Sequence, residues 1–180
     1  MNYFYPWEFS LYHAFIALGL GYLEIIAALA LPWSWLPIIL AIKISTLWGN
    51  NNGVYQLLNW GAGLVFSILL TVTLARVLQF DAPCHYAALT DLIPALMQFC
   101  SFPFSLPDYP SVALGFCAAG FSTTSRQKVI SFILGVLILA RWLSFQAFLI
   151  DVTLSFGIGF LLQRGWSAYF FPWLFPDPQR

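Results

Sequence analysis

Charged side chains are scarce in this chain. Only 8% of its 180 residues are Asp, Glu, Lys or Arg, whereas soluble domains contain about 25%. Seven basic residues balance seven acidic ones, and no basic cluster is present. Binding to nucleic acid requires a basic surface, so the composition excludes nucleic acid as a partner.

Cysteine and histidine are also rare. The three cysteines and two histidines form no CxxC pair and no metal-binding spacing, so we predict no metal ion and no cofactor. Cys84 and Cys100 are able to pair only if both face an oxidising compartment. The N-terminal sequence MNYFYPWEF has neither the basic start nor the small-residue cleavage site of a signal peptide. The first apolar segment is therefore expected to stay in the protein.

Apolar residues dominate what is present. They make up 61% of the chain, and the mean hydropathy is +0.81. Judged against the ~20 residues that a membrane span needs, six apolar segments can be drawn. They are 12–31, 33–49, 55–79, 109–122, 129–147 and 149–171. The sequence thus predicts an all-α, polytopic membrane protein with residues 1–180 in a single transmembrane domain, and a helix lying in the interface over 87–105.

The charges fall on two sides of this topology if the N-terminus is cytoplasmic. The cytoplasmic side then receives the basic residues Arg126, Lys128, Arg164 and Arg180. The opposite side receives the acidic residues Asp81, Asp91, Asp108 and Asp151, with Arg76 and Arg141 as its only basic residues. This distribution agrees with the positive-inside rule and predicts that both termini are cytoplasmic. Because no targeting segment is visible, a bacterial inner membrane is the expected location.

Three polar patterns interrupt the apolar segments. Arg141 and Asp151 lie ten positions apart in the stretch ARWLSFQAFLIDVTLSFGIG. Charges inside a membrane segment are costly, so each is expected to have a partner or a function. Arg76 lies near the end of the third segment, and the motif Tyr109-Pro110-Ser111-Val112-Ala113 leads into the fourth.

In order and spacing, these patterns resemble the three signatures of the type 2 phosphatidic acid phosphatase superfamily, across about residues 55–165. The signatures are Lys-x(6)-Arg-Pro, Pro-Ser-Gly-His and Ser-Arg-x(5)-His-x(3)-Asp. The resemblance implies a six-span helix bundle of that fold. It also implies that Arg76, Ser111 and Arg141 contact a lipid phosphate. Asp151, which in the family orients the catalytic His, is expected to orient Arg141 here.

The chain departs from the signatures at the positions that do the chemistry. Ala113 and Ala147 stand where the family has its two catalytic histidines, and Pro83-Cys84 replaces Arg-Pro. A phosphoryl transfer of this kind needs a nucleophile, so the resemblance argues against catalysis. The first hypothesis is therefore a non-catalytic relative. It would bind a lipid phosphate or serve as a scaffold subunit of a membrane complex with a protein partner.

Two alternatives remain open. The chain is an active, metal-independent lipid phosphatase if its site is rearranged, and His85 is then the weak candidate for a substitute catalytic residue. It is an unrelated structural membrane subunit if the motifs match by coincidence, and Arg141 and Asp151 then form only a structural ion pair.

Small residues predict close packing of the last helices. They are Gly115, Ala118, Ala119, Gly120, Ser155, Gly157 and Gly159.

Overall fold

The structure of the chain is a computed structural model. It describes residues 21–48, 52–82, 104–121, 125–144 and 146–176, together with positions 7, 10, 11, 14 and 17. The helices are α1 (Gly21–Ala30), α2 (Pro32–Leu47), α3 (Gly53–Leu78), α4 (Tyr109–Gly120), α5 (Ser125–Leu143), α6 (Leu149–Gly165) and α7 (Phe171–Leu174). A π-helical segment, Trp166–Phe170, joins α6 to α7. Two short antiparallel strands, β1 (Phe80–Asp81) and β2 (Phe104–Leu106), precede α4.

The described part of the chain is all-α apart from these two strands, as the apolar segments predicted. Helices α2 to α5 begin and end within about four residues of the drawn segments, and α6 begins where its segment was drawn. Two of the predicted segments lie partly or mostly outside the residues that the structure describes. Most of 87–105 and the first half of 12–31 lie outside the described residues, as do Cys84 and His85. The end of the expected interfacial helix is extended, because Phe104 belongs to β2.

Within the described ranges, one helix is long and apolar enough to cross a membrane. It is α3, with 26 residues. Helix α4 has only 12 residues and α2 has 16, against the ~20 that a span needs. Helix α5 has 19 residues, but its sequence carries Arg126, Lys128 and Arg141. The six-span arrangement therefore stays a prediction.

Helix α4 is the centre of the bundle. Every residue from 110 to 119 is buried, which is unusual for a helix and requires apolar or small side chains on all faces. Large side chains from several helices close around it, including Trp60 of α3, Leu134 of α5 and Trp166 after α6. A helix enclosed in this way can carry polar groups only at its two ends.

Helices α4 and α6 touch at backbone distance. A Cβ atom added at Gly115 would lie 2.0 Å from the carbonyl oxygen of Phe156, and one added at Gly159 would lie 1.9 Å from that of Val112. The two glycines follow Ser111 and Ser155 by four residues, so both helices present a small-x3-small face. This approach brings Ser155 to the start of α4.

The two ends of helix α4 lie next to groups of opposite charge. At the end where α4 and α6 begin and α3 and α5 finish, Asp108 precedes α4; we call this the acidic end. At the opposite, basic end, the Nζ of Lys43 donates to the carbonyl oxygen of Gly120 at 3.0 Å and lies over the ring of Phe121. A carboxylate at the N-terminus of α4 and an ammonium group at its C-terminus both match the helix dipole.

Candidate functional site

The site begins at the N-cap of α4. Asp108 has extended backbone angles, and its Oδ2 accepts hydrogen bonds from the backbone nitrogen of Ser111 at 3.1 Å and from the Ser111 Oγ at 2.5 Å. Asp is a favoured N-cap, because its carboxylate satisfies amide groups that have no partner within the helix. Pro110 lies in the first turn, where its missing N–H is not needed.

Arg141 reaches the same carboxylate from the last turn of α5. Its Nε donates to Oδ2 of Asp108 at 3.2 Å, and its second terminal nitrogen donates to Oδ1 at 2.5 Å. Both side chains are 2% exposed. Charged hydrogen bonds in this two-point arrangement are among the strongest in proteins, and burial removes the competition from water.

The turn after α5 holds Arg141 from the other side. The Oγ of Ser144 and the backbone nitrogen of Gln146 both donate to the carbonyl oxygen of Arg141, at 3.1 and 3.3 Å. This turn directs the Gln146 side chain to the guanidinium, whose first terminal nitrogen donates to its Oε1. The charged group is therefore fixed by a carboxylate and an amide at once.

Helix α6 completes the cluster. The backbone nitrogen of Asp108 donates to the Oγ of Ser155 at 2.8 Å. Asp151 lies one turn earlier on α6 and is buried, and Ala147 and Phe148 before it are fully buried. We call Asp108, Ser111, Arg141, Gln146 and Ser155 the carboxylate cluster. It ties the start of α4 to the end of α5 and to α6.

The carboxylate cluster is arranged like an anion-binding site that is already filled. Four hydrogen bonds from Ser111 and Arg141 converge on the two oxygens of Asp108. Backbone N–H at a helix start, a hydroxyl and a guanidinium are the donors that bind phosphate and carboxylate in many proteins. Here the oxyanion belongs to the chain itself.

The structure brings two of the predicted site residues together and separates a third. Ser111 and Arg141 both bind Asp108. Arg76 is exposed on α3, whereas Ser111 and Arg141 are buried. The structure shows an ion pair of Arg141 with Asp108. The expected orientation of Arg141 by Asp151 stays a prediction. His85 lies outside the described residues.

The sequence interpretation missed Asp108, which it assigned only to one side of the membrane. The signal was present in Asp108-Tyr109-Pro110-Ser111, where an Asp comes three residues before a Ser and two before a proline. Asp at that spacing before an apolar helix is typical of an N-cap. In the ranges that the structure describes, no three His, Cys, Asp or Glu side chains come together as a metal site would need.

Comparison with protein-family models, with curated proteins and with solved structures gives no significant match to this chain.

Proposed function

We propose that this chain is a polytopic membrane protein that acts as a non-catalytic scaffold subunit of a membrane complex. The observation that carries the proposal is the buried ion pair between Asp108 and Arg141. In the resemblance described above, Ser111 and Arg141 would hold a phosphate. Their donors are instead used by a carboxylate of the same chain, so the cluster serves to hold helices together.

The positions of the two replaced histidines also favour a non-catalytic role. Ala113 and Ala147 are 2% and 0% exposed, respectively, so each methyl group is enclosed by protein. An alanine supplies neither the nucleophile nor the general acid that phosphoryl transfer through a covalent intermediate requires.

The exposed surface favours a membrane environment. Large apolar side chains are exposed along α3, α5 and α6, among them Val54, Leu69, Phe132, Ile133, Leu154 and Leu161. Soluble monomers rarely expose apolar surface on this scale, whereas lipid tails or a partner helix would cover it. With six spans, the basic end faces the cytoplasm together with both termini, and a bacterial inner membrane fits this arrangement.

Binding of a lipid phosphate is the second candidate function. The convergence of donors on Asp108 favours it, because the same hydrogen bonds would suit a phosphate if Asp108 turned away. Arg76, Ser111 and Arg141 would then contact the headgroup, with Arg76 moving in from the surface. This function needs a rearrangement, and the scaffold function needs none.

Phosphate release tests the non-catalytic proposal. The full chain, purified in mild detergent with a chelator, would be given phosphatidic acid, lysophosphatidic acid and isoprenoid pyrophosphates, beside an active lipid phosphatase as positive control. We expect no release above heat-inactivated protein. Release that is lost in Arg141→Gln would contradict the proposal and revive the active-phosphatase alternative.

Two further measurements test the membrane and scaffold parts. Resistance to carbonate extraction and reporter fusions at both termini should give an integral protein with cytoplasmic ends. Native mass spectrometry of the protein extracted in mild detergent should give a complex of fixed stoichiometry. A monomer under all extraction conditions would exclude the scaffold role and leave lipid binding as the better candidate.

A further inference from the structure

Two neighbouring grooves lie on one exposed side of the bundle. The first runs along α3, and its lining includes Gly61, Ala62 and Val65. The second lies between α3 and the end of α6, and its lining includes Leu161, Gly165 and Phe170. Phe66 lines both grooves, so they form one continuous surface, which we call the α3 face. All the residues that line it are apolar or glycine.

Phe66 forms a fixed ridge between the two grooves. Its ring stacks on that of Trp166, with 5.2 Å between the ring centroids. Trp166 is held in turn by the hydrogen bond from its Nε1 to the carbonyl oxygen of Asn59, at 2.9 Å. The outer side of the Phe66 ring is exposed. A partner that binds to such a surface does not have to order it first, so less conformational entropy is lost on binding.

The glycines in the grooves have no packing role within the described part of the chain. A Cβ atom added at Gly63, on the buried side of α3, would lie 2.6 Å from the side chains of Phe116 and Trp166. One added at Gly61 or Gly165 would meet no described atom within 4 Å. Glycine weakens a helix relative to alanine, so its use at Gly61 is explained by close approach from outside the chain.

Close approach of backbones is the main source of attraction between helices in a membrane. Lipid tails are as apolar as leucine, so moving a leucine from lipid to a partner gains little. Glycine and alanine let two helices come near enough for extensive van der Waals contact. The pair Gly61-Ala62, between the exposed side chains of Leu58 and Val65, is therefore suited to a neighbouring helix.

The size and charge of the α3 face also fit a protein partner. Its large exposed side chains are Leu58, Val65, Phe66, Leu69, Leu161 and Phe170, each 42–70% exposed. Together they expose on the order of 700 Å², close to the ~800 Å² that each partner contributes to a standard-size interface. Helix α3 has no charged residue from Gly53 to Ala75, so two copies of this face would meet without repulsion.

We infer that the α3 face is the interface of a homodimer, in which α3 of one copy packs against α3 of a second copy. Two copies with the same orientation in a membrane are related by a two-fold axis along the membrane normal. Residues near that axis face their own equivalents, so Gly61 of one copy lies against Gly61 of the other. The inference rests on the proposed function and names a partner for it, because the membrane complex then contains two copies of this chain.

Energy transfer between full-length chains that carry a donor or an acceptor fluorophore, measured in phosphatidylcholine vesicles at several protein-to-lipid ratios, tests the dimer. We expect Gly61→Leu to raise its Kd by about tenfold or more, because leucine keeps the two backbones apart. Gly135→Leu is the matched control. Gly135 lies on α5, outside the α3 face, and a Cβ there also meets no described atom within 4 Å. It should change the Kd by no more than about twofold.

Cross-linking locates the interface independently. In a Cys84→Ser/Cys100→Ser background, which keeps the buried Cys117, Val65→Cys should form a disulfide-linked dimer in oxidised membranes. Phe132→Cys is the control, because Phe132 is exposed on α5 and lines neither groove. Unfolding midpoints of all variants confirm that each is folded.

Three results would overturn the inference. They are a monomer at every protein-to-lipid ratio, equal weakening of the dimer by Gly61→Leu and Gly135→Leu, and cross-linking at position 132 as efficient as at position 65. If native mass spectrometry then finds one copy of the chain bound to a different protein, the proposed scaffold role stands and only the homodimer is refuted. Loss of membrane integration in carbonate extraction would instead refute the proposed function.

Discussion

Asp108 and Arg141 lie 33 positions apart in the chain and form a two-point ion pair, with both side chains 2% exposed. Neither charge has access to water, so each depends on the other and on the hydrogen bonds around it. Removing one partner from such a pair leaves an uncompensated buried charge, which costs about 3–5 kcal/mol. The pair therefore gives the clearest predictions about stability.

We expect Arg141→Met to lower the free energy of unfolding by about 3–5 kcal/mol, because Asp108 keeps its charge and loses its counter-ion. The midpoint of thermal unfolding in a mild detergent measures the effect. Arg76→Met is the control and should change stability by no more than about 0.5 kcal/mol, since Arg76 is exposed. Similar losses in both variants would show that the ion pair does not stabilise the fold.

The double variant Asp108→Asn/Arg141→Met should be more stable than Arg141→Met alone. Asparagine is neutral and still accepts a hydrogen bond at the N-cap, so the helix start keeps its partner while the unpaired charge is removed. A double-mutant cycle should give a coupling of about 1–3 kcal/mol between the two positions. Strictly additive effects would mean that Arg141 acts through packing and not through the carboxylate.

The positions of the helices could be predicted from the sequence, whereas the contacts within the carboxylate cluster could not, for a physical reason. Helix positions follow from apolar segments interrupted by Pro, Gly and Asn, all of which act locally, and the described helices lie close to the segments drawn from the sequence. The partner of Arg141 depends on how α4, α5 and α6 meet, which is not a local property. Spacing within one segment pointed to Asp151, and it gave no sign of the ion pair with Asp108, which lies in the turn before α4.

The glycines also show that contacts between helices cannot be read from the local sequence. Composition predicted close packing at Gly115, Gly157 and Gly159 without separating them. In the structure, Gly115 and Gly159 touch backbone of the opposite helix, whereas a Cβ at Gly157 would meet nothing within 4 Å among the described residues. Two glycines on one helix, two positions apart, point about 160° from each other, so only the helix-to-helix orientation decides which one packs.

Alanine substitutions at these glycines should therefore have different effects on the stability of the protein. Gly115→Ala and Gly159→Ala place a methyl group against a backbone oxygen and should destabilise the protein by about 1–3 kcal/mol or more. Gly157→Ala should be neutral or stabilising by up to about 1 kcal/mol, because alanine favours the helix. Unfolding midpoints of the three variants test this, and a loss at Gly157 equal to that at Gly115 would contradict the described α4–α6 contact.

Lys43 should stabilise α4 from its C-terminal end. In Lys43→Met, the hydrogen bond to Gly120 and the favourable charge at the helix C-terminus are lost while the apolar stem is kept. We expect a loss of about 1–2 kcal/mol in unfolding free energy, and a smaller one for Lys43→Arg. Lys128→Met removes an exposed charge from the same end and serves as control. If both methionine variants lose the same stability, net charge at this end is responsible and the cap is not.

Removing the Asp108 side chain should convert the carboxylate cluster into a site for a free oxyanion. Glycine at an N-cap costs only a few tenths of a kcal/mol more than Asp for the helix itself, so most of the loss in Asp108→Gly comes from the unpaired Arg141. Phosphate or acetate that reaches the guanidinium and the Ser111 N–H should recover part of it. We expect added phosphate to raise the unfolding midpoint of Asp108→Gly and to leave wild type and Asp108→Gly/Arg141→Gln unchanged.

A rise in wild type as well would show that the Asp108 carboxylate gives way to an external anion, and would favour lipid-phosphate binding over the scaffold role. If the unfolding midpoint rises in no variant, the donors are enclosed too tightly for any anion to enter. The cluster would then resemble a phosphate site without being able to bind phosphate.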